Sequence, residues 1–121
     1  MTNHTHWCTT LFATIDAKDS RGFVTYLSDE AQFRYGSAHP VTGTSAIIAA
    51  LDAFFASVTA LSHRISDIWE VPGHVICRGE VRYERSDGNI VTAPFCNVFT
   101  MCAEKIARYE IYLDPTPLVA A

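Results

Sequence analysis

A histidine set among apolar residues at strand spacing is the first feature of this 121-residue chain that suggests chemistry. Between Ala60 and Val71 the alternate positions Leu61, His63, Ile65, Asp67, Trp69 and Val71 form one set. Ser62, Arg64, Ser66, Ile68 and Glu70 form the other. The first set is the more apolar, so it is expected to face inward and carry His63 with it. An imidazole in such surroundings must pair both ring nitrogens or bear a desolvation cost. Its ordinary pKa of about 6.5 lets it take and return a proton near neutrality, which is the work of a general acid or base. A core histidine satisfied by backbone or water is the alternative reading of the same pattern.

Asp16 stands four residues after Phe12 on a predicted helix, on a face able to look into the same interior. A carboxylate bonded to one imidazole nitrogen fixes the tautomer and stabilises the charged ring, leaving the other nitrogen for a substrate. The alternative for Asp16 is a helix-end residue that bonds the backbone amides following it. Tyr35 shares a strand face with Phe33, and a phenol at a pocket wall can donate to a developing oxyanion. A core tyrosine with its hydroxyl at the rim is the other reading. Further on, Asn97 sides with Ala93, Phe95 and Phe99, whereas Cys96 goes with Pro94 and Val98. Both faces are apolar, so the alternation leaves open whether an amide able to orient a substrate oxygen or a filler thiol faces inward. Phe33, Phe54, Trp69 and Tyr109 are expected as substrate-contacting walls. Arg78, Glu80, Arg82 and Glu84 lie opposite the apolar set Val75, Cys77, Gly79, Val81 and Tyr83. Exposed cross-strand ion pairs are expected of them.

These groups need elements to hold them. Trp7, Leu11, Phe12 and Ile15 recur at helical spacing and predict a first helix ending near Lys18. Asp19 predicts the cap of a second, short helix with the stripe Phe23, Tyr26 and Leu27. A short strand is expected over Ala31–Gly36, then a loop over Ser37–Gly43. A third helix, capped by Thr44 or Ser45, carries Ile47, Leu51, Phe54, Phe55 and Val58. The period then changes to two, predicting strands over Ala60–Val71, His74–Arg85, Ile90–Cys102 and Ile106–Leu113. Short turn-like links join antiparallel neighbours, so these four make a meander. The pattern implies an α+β fold: a cone-shaped barrel, with three N-terminal helices packed on a strongly curved, mainly antiparallel sheet. A curled sheet with helices at its mouth leaves a conical hollow.

The bulk composition removes several function classes. Hydrophobic residues at 49% against 18% charged argue for a folded core, and the length suits one domain over residues 1–121. The net charge is −4 and the nine Lys and Arg are scattered singly, so no nucleic-acid footprint is expected. No basic amphipathic helix or long apolar run points to a membrane. Cys8, Cys77, Cys96 and Cys102 lack metal-ligand spacing, and no metal or other cofactor is expected. Reduced thiols and a polar Met1–His6 segment lead to the expectation of a cytoplasmic protein.

The segments Ile15-Asp-Ala-Lys-Asp19, Gly43-Thr-Ser-Ala-Ile47, Leu61-Ser-His63, Ser86-Asp-Gly88 and Glu104 to Asp114, taken with the element order, resemble the nuclear-transport-factor-2-like superfamily. Within it the chain is similar to the SnoaL-like branch over nearly its whole length. The resemblance implies a homodimer and a pocket for a small apolar molecule. In scytalone dehydratase and bile-acid dehydratase an Asp on the first helix and a His on the third-helix-following strand belong to the active site. Those positions fall on Asp16 and His63, and a carbonyl-polarising tyrosine of the former falls on Tyr35. Other equipment is missing. The ketosteroid isomerase base aligns near Phe33 or Arg34, its helix tyrosine with Leu11 and its protonated Asp with Cys96. The last-strand acid of limonene epoxide hydrolase and of the polyketide cyclase falls on Ile111. The implied activity is a cofactor-independent lyase (a dehydratase) or isomerase acting on a small apolar oxygenated molecule. A non-catalytic ligand-binding or dimerisation domain of the same fold is the rival.

Overall fold

The computed structural model describes residues 4–119. Helix α1 spans His4–Asp16 and buries Leu11, Phe12 and Ile15 of the expected stripe, with Cys8 fully buried beside them and Trp7 only partly buried. It stops where Lys18 takes a left-handed backbone with φ 58°. Asp19 then caps α2 (Ser20–Val24), its Oδ1 accepting from Gly22 N at 2.9 Å. A β-carbon at residue 22 would lie 2.3 Å from Asp19 Oδ2, so glycine lets this cap close. Leu27, expected on the helical stripe, instead opens β1 (Leu27–Tyr35), which is longer than predicted. A two-residue strand β2 (Val41–Thr42) lies within the expected loop.

Helix α3 spans Thr44–Ser57, and neither Thr44 nor Ser45 caps it. Gly43 occupies the cap position at φ 91°, a conformation open chiefly to glycine, and its carbonyl accepts from Ile47 N at 3.0 Å. Ile47, Leu51 and Phe55 are buried, while Phe54 is half-buried. Val58 belongs to the next strand. Strands β3 (Val58–Val71), β4 (His74–Arg85), β5 (Ile90–Cys102) and β6 (Lys105–Tyr112) form the expected meander, and a short α4 (Thr116–Val119) follows. The sheet order is β2-β1-β6-β5-β4-β3, with β1 parallel to β6 and the other pairs antiparallel. The sheet curls without closing, leaving β2 and β3 as its edges. The α+β architecture of helices on a curved, mainly antiparallel sheet is thus the one adopted.

One irregularity decides which side chains look inward. Along β3, Leu61, His63 and Ile65 sit opposite Tyr83, Val81 and Gly79, but Asp67 is already opposite Arg78. The extra residue is a β-bulge, and beyond it the alternation is reversed. Ile68 therefore packs on the core, while Trp69 turns outward and is 44% exposed. The placement of Trp69 in the cavity wall is corrected accordingly: strict alternation fails where one residue is inserted. Gly79 allows the strands to approach at this point, since a β-carbon there would lie 1.9 Å from the Arg64 carbonyl oxygen. Among the described residues no helix is long and apolar enough to cross a membrane.

Candidate active site

The concave side of the sheet and helices α1 to α3 enclose a cavity of about 250 Å³. Its lining is mainly apolar, including Phe33, Phe54, Leu61, Val81 and Phe95. Its polar groups are few: His63, Tyr35, Tyr83, Asn97, Tyr109 and, at the exposed rim, His39. Sparse polar groups in an apolar hollow orient a ligand without holding much water.

His63 and Asp16 meet at this wall. Asp16 Oδ1 lies 2.6 Å from His63 Nδ1, and Asp16 Oδ2 accepts from the His63 backbone N–H at 3.0 Å. One carboxylate thus grips both the ring and the main chain of the same residue, tying the end of α1 to β3. A carboxylate only accepts, so Nδ1 carries the hydrogen and Nε2 presents its lone pair. The side chain of His63 is 10% exposed and that of Asp16 28%, so the bond between them is partly shielded from water. Phe12 lies 4.8 Å from the imidazole, centroid to centroid, and Phe95 5.5 Å on edge, so the ring has little freedom to turn.

A second polar station joins strands that are not neighbours. The hydroxyls of Tyr35 on β1 and Tyr83 on β4 are 3.1 Å apart, bridging the hollow of the curled sheet. Phe54 of α3 packs against both rings, at 5.5 and 5.8 Å. Burial pushes the Tyr35 phenol above its usual range despite the opposing hydrogen bond from Tyr83. Tyr83 is raised too, by burial first and then by its tyrosine neighbour. Both hydroxyls therefore keep their protons. The sequence placed Tyr83 on the inner face but assigned it no role. Its only signal is position, two residues from Val81, which sits opposite His63.

The choice between Cys96 and Asn97 is made by register. Asn97 pairs with buried Cys77 and points inward at 2% exposure, whereas Cys96 pairs with outward Arg78. Asn97 Nδ2 donates to the Tyr109 hydroxyl at 3.5 Å. Phe33 and Tyr109 pack at a tilt deep in the wall, their ring centroids 5.3 Å apart. The remaining candidates lie elsewhere. Trp69 is on the convex face with the Arg78 guanidinium 5.4 Å over its ring. Arg78 bonds Asp67 at 2.9 Å, and Arg64 pairs with Glu80, all exposed. Cys8 and Cys77 are fully buried, and burial pushes the Cys8 thiol up to about 12, so both serve as packing. Among the described residues no group of three or more His, Cys, Asp or Glu is placed to hold a metal.

Comparison with known proteins agrees with this fold. A family model described as the SnoaL-like domain matches residues 9–109. No curated protein matches the sequence significantly. Among solved structures, a nuclear-transport-factor-2-like protein of unknown function from Burkholderia pseudomallei K96243 overlays with a TM-score of 0.90 at 14% identity, covering 100% of both chains. A protein from Jannaschia sp. CCS1 that carries the name SnoaL-like polyketide cyclase gives 0.84 at 13% identity, over 98% of this chain and 90% of its own. TerC, co-crystallised with polyporic acid, gives 0.83 at 16% identity, over 95% and 94%. At such identities the overlays establish the fold.

Proposed function

The chain belongs to the SnoaL-like domain family, and from that premise we propose that it is a cofactor-independent lyase or isomerase acting on a small, mostly apolar ketone. The observation that carries the proposal is the 2.6 Å bond between Asp16 and His63 at the wall of an apolar cavity. His63 Nε2 removes a proton from the carbon beside the carbonyl, and the electron pair moves onto the carbonyl oxygen. Tyr35 and Tyr83 donate to that oxygen as it becomes an enolate. Collapse of the enolate then forms the carbon–carbon double bond. In a dehydration the β-hydroxyl leaves with the proton that His63 returns, as water; in an isomerisation the proton is returned to the γ-carbon. Asp16 holds the imidazole in the required tautomer and stabilises its charged form, so it is a positioning residue. Phe33, Phe54 and Tyr109 provide the apolar walls.

Both reactions convert an unconjugated ketone to a conjugated enone, which is followed by ultraviolet absorbance over a panel of β-hydroxy and β,γ-unsaturated ketones. His63→Gln is expected to lower turnover by about 10²–10⁴-fold, with Asp16→Asn less severe and the fold retained in both. Ligand binding without turnover in the parent protein, or undiminished turnover in His63→Gln, refutes the catalytic reading. TerC, which shares the fold, was co-crystallised with polyporic acid, which supports a small-molecule-binding role for this chain. We also propose a homodimer built on the convex sheet face. The four free cysteines support a reducing compartment, the cytoplasm.

A further inference from the structure

Asn97 and Tyr109 are the most deeply buried polar residues of the cavity lining, 2% and 0% exposed. They have one mutual bond, from the amide Nδ2 to the phenol oxygen at 3.5 Å. Asn97 Oδ1 is buried with no hydrogen-bond partner among the described residues. An unmet buried polar atom is costly, and an apolar side chain of similar shape would avoid the cost. The other polar groups of the lining cannot answer it: His63 is engaged by Asp16, and Tyr35 and Tyr83 engage each other. His39 is at the rim.

We infer that the cavity selects ligands bearing a hydroxyl at the end that reaches Asn97, remote from the oxygen received by the tyrosine pair. A hydroxyl matches this amide because it can donate to Oδ1 and accept from Nδ2. Asn97, Ile111 and Tyr35 lie in one row across β5, β6 and β1. Neighbouring strands are ~4.8 Å apart, so the two polar stations stand on backbones about 10 Å from each other. Side chains reaching inward leave room between them for one ring with oxygens at opposite ends. The size is suitable, because a dry cavity of about 150 Å³ holds benzene in a well-studied engineered protein. The inference rests on reading this hollow as a ligand site, and is independent of proton transfer at His63.

The test is calorimetric titration with two ketones of the same shape, 4-hydroxyacetophenone and 4-methylacetophenone. The hydroxyl compound is expected to bind roughly ten- to a hundredfold more tightly, because the methyl compound leaves the amide unpaired. In Asn97→Leu the preference should fall below about threefold while the methyl compound binds at least as well as before. If Asn97→Leu fails to fold, Asn97→Leu combined with Tyr109→Phe removes the stranded phenol as well and carries the same comparison. A preference below about threefold in the parent protein would show that solvent serves the amide equally, and overturns the inference. So would a preference that survives Asn97→Leu. Failure of both ketones to bind removes the ligand site itself, and the proposed function with it. A clear hydroxyl preference alongside undiminished turnover in His63→Gln sinks only the catalytic reading.

Discussion

The imidazole of His63 is held on three sides: Asp16 bonds its Nδ1, Phe12 lies against its face and Phe95 meets it edge-on. With Nδ1 taken by Asp16, Nε2 is the ring nitrogen left for a ligand of the cavity that His63 lines, and a base there is useful only if the charge it generates is received elsewhere. Tyr35 and Tyr83 are the receiving groups in the proposed reaction. Two phenol oxygens 3.1 Å apart can share one proton between them and offer the other, or both can turn to a single incoming oxygen. Tyr83→Phe is expected to reduce turnover by about ten- to a hundredfold, as loss of one oxyanion donor does. Burial raises both phenols, so the protonated donors persist above the ordinary phenol value of about 10. The pH–rate profile should therefore show no phenol-dependent fall below about pH 10. An unchanged rate in Tyr83→Phe, or a fall below about pH 10 that this substitution abolishes, contradicts the assignment.

At the scale of the element, β3 does two jobs along one strand. Its first half carries Leu61 and His63 into the cavity; its second half, beyond the bulge, returns Ile68 to the core and puts Trp69 on the convex face. The bulge lies opposite Gly79, where β3 and β4 come too close for any β-carbon. Gly79→Ala must push the Arg64 carbonyl away and is expected to cost ~1–3 kcal/mol, the usual penalty of overpacking. Thermal denaturation should show this as a fall of roughly 5–15 °C. The displaced segment adjoins His63, so turnover should fall further than stability alone explains. A neutral Gly79→Ala would mean that the close approach does not position the histidine. This strand also marks the limit of pattern reading. His63 precedes the bulge, where alternation still holds, whereas Trp69 follows it. Nothing in the run Ile65-Ser-Asp67 marks the inserted residue, because a bulge is created by the partner strand's geometry.

Across the whole molecule, the convex face carries more apolar surface than its ion pairs need. Trp69, Ile76 and Val98 lie in one row across β3, β4 and β5, and Tyr112 sits opposite Cys96 at 55% exposure. Ile68, expected on this face, belongs to the core instead. Contiguous apolar surface rimmed by charge is typical of association sites. Light scattering is expected to give twice the chain mass at micromolar concentration. Val98→Lys, placing a charge at the centre of the patch, should shift the protein to monomer with its melting curve otherwise two-state. A monomeric parent protein would reject the dimer.

What the linear chain determined was the order of elements and, for most of them, the buried face. Both are set by local periodicity and turn chemistry: the strand bounds of β4 and β5, the stripe of α1 and the inward set on β4 were all legible. Tertiary structure alone decided what meets what. The Tyr35–Tyr83 contact joins residues on strands two places removed from adjacency, through the curl of the sheet. The choice of Asn97 over Cys96 came from pairing with Cys77. The grip of Asp16 on both the ring and the main chain of His63 depends on where α1 ends over β3. These are distances between segments far apart in sequence, and periodicity records only which way a side chain points, never what it finds there.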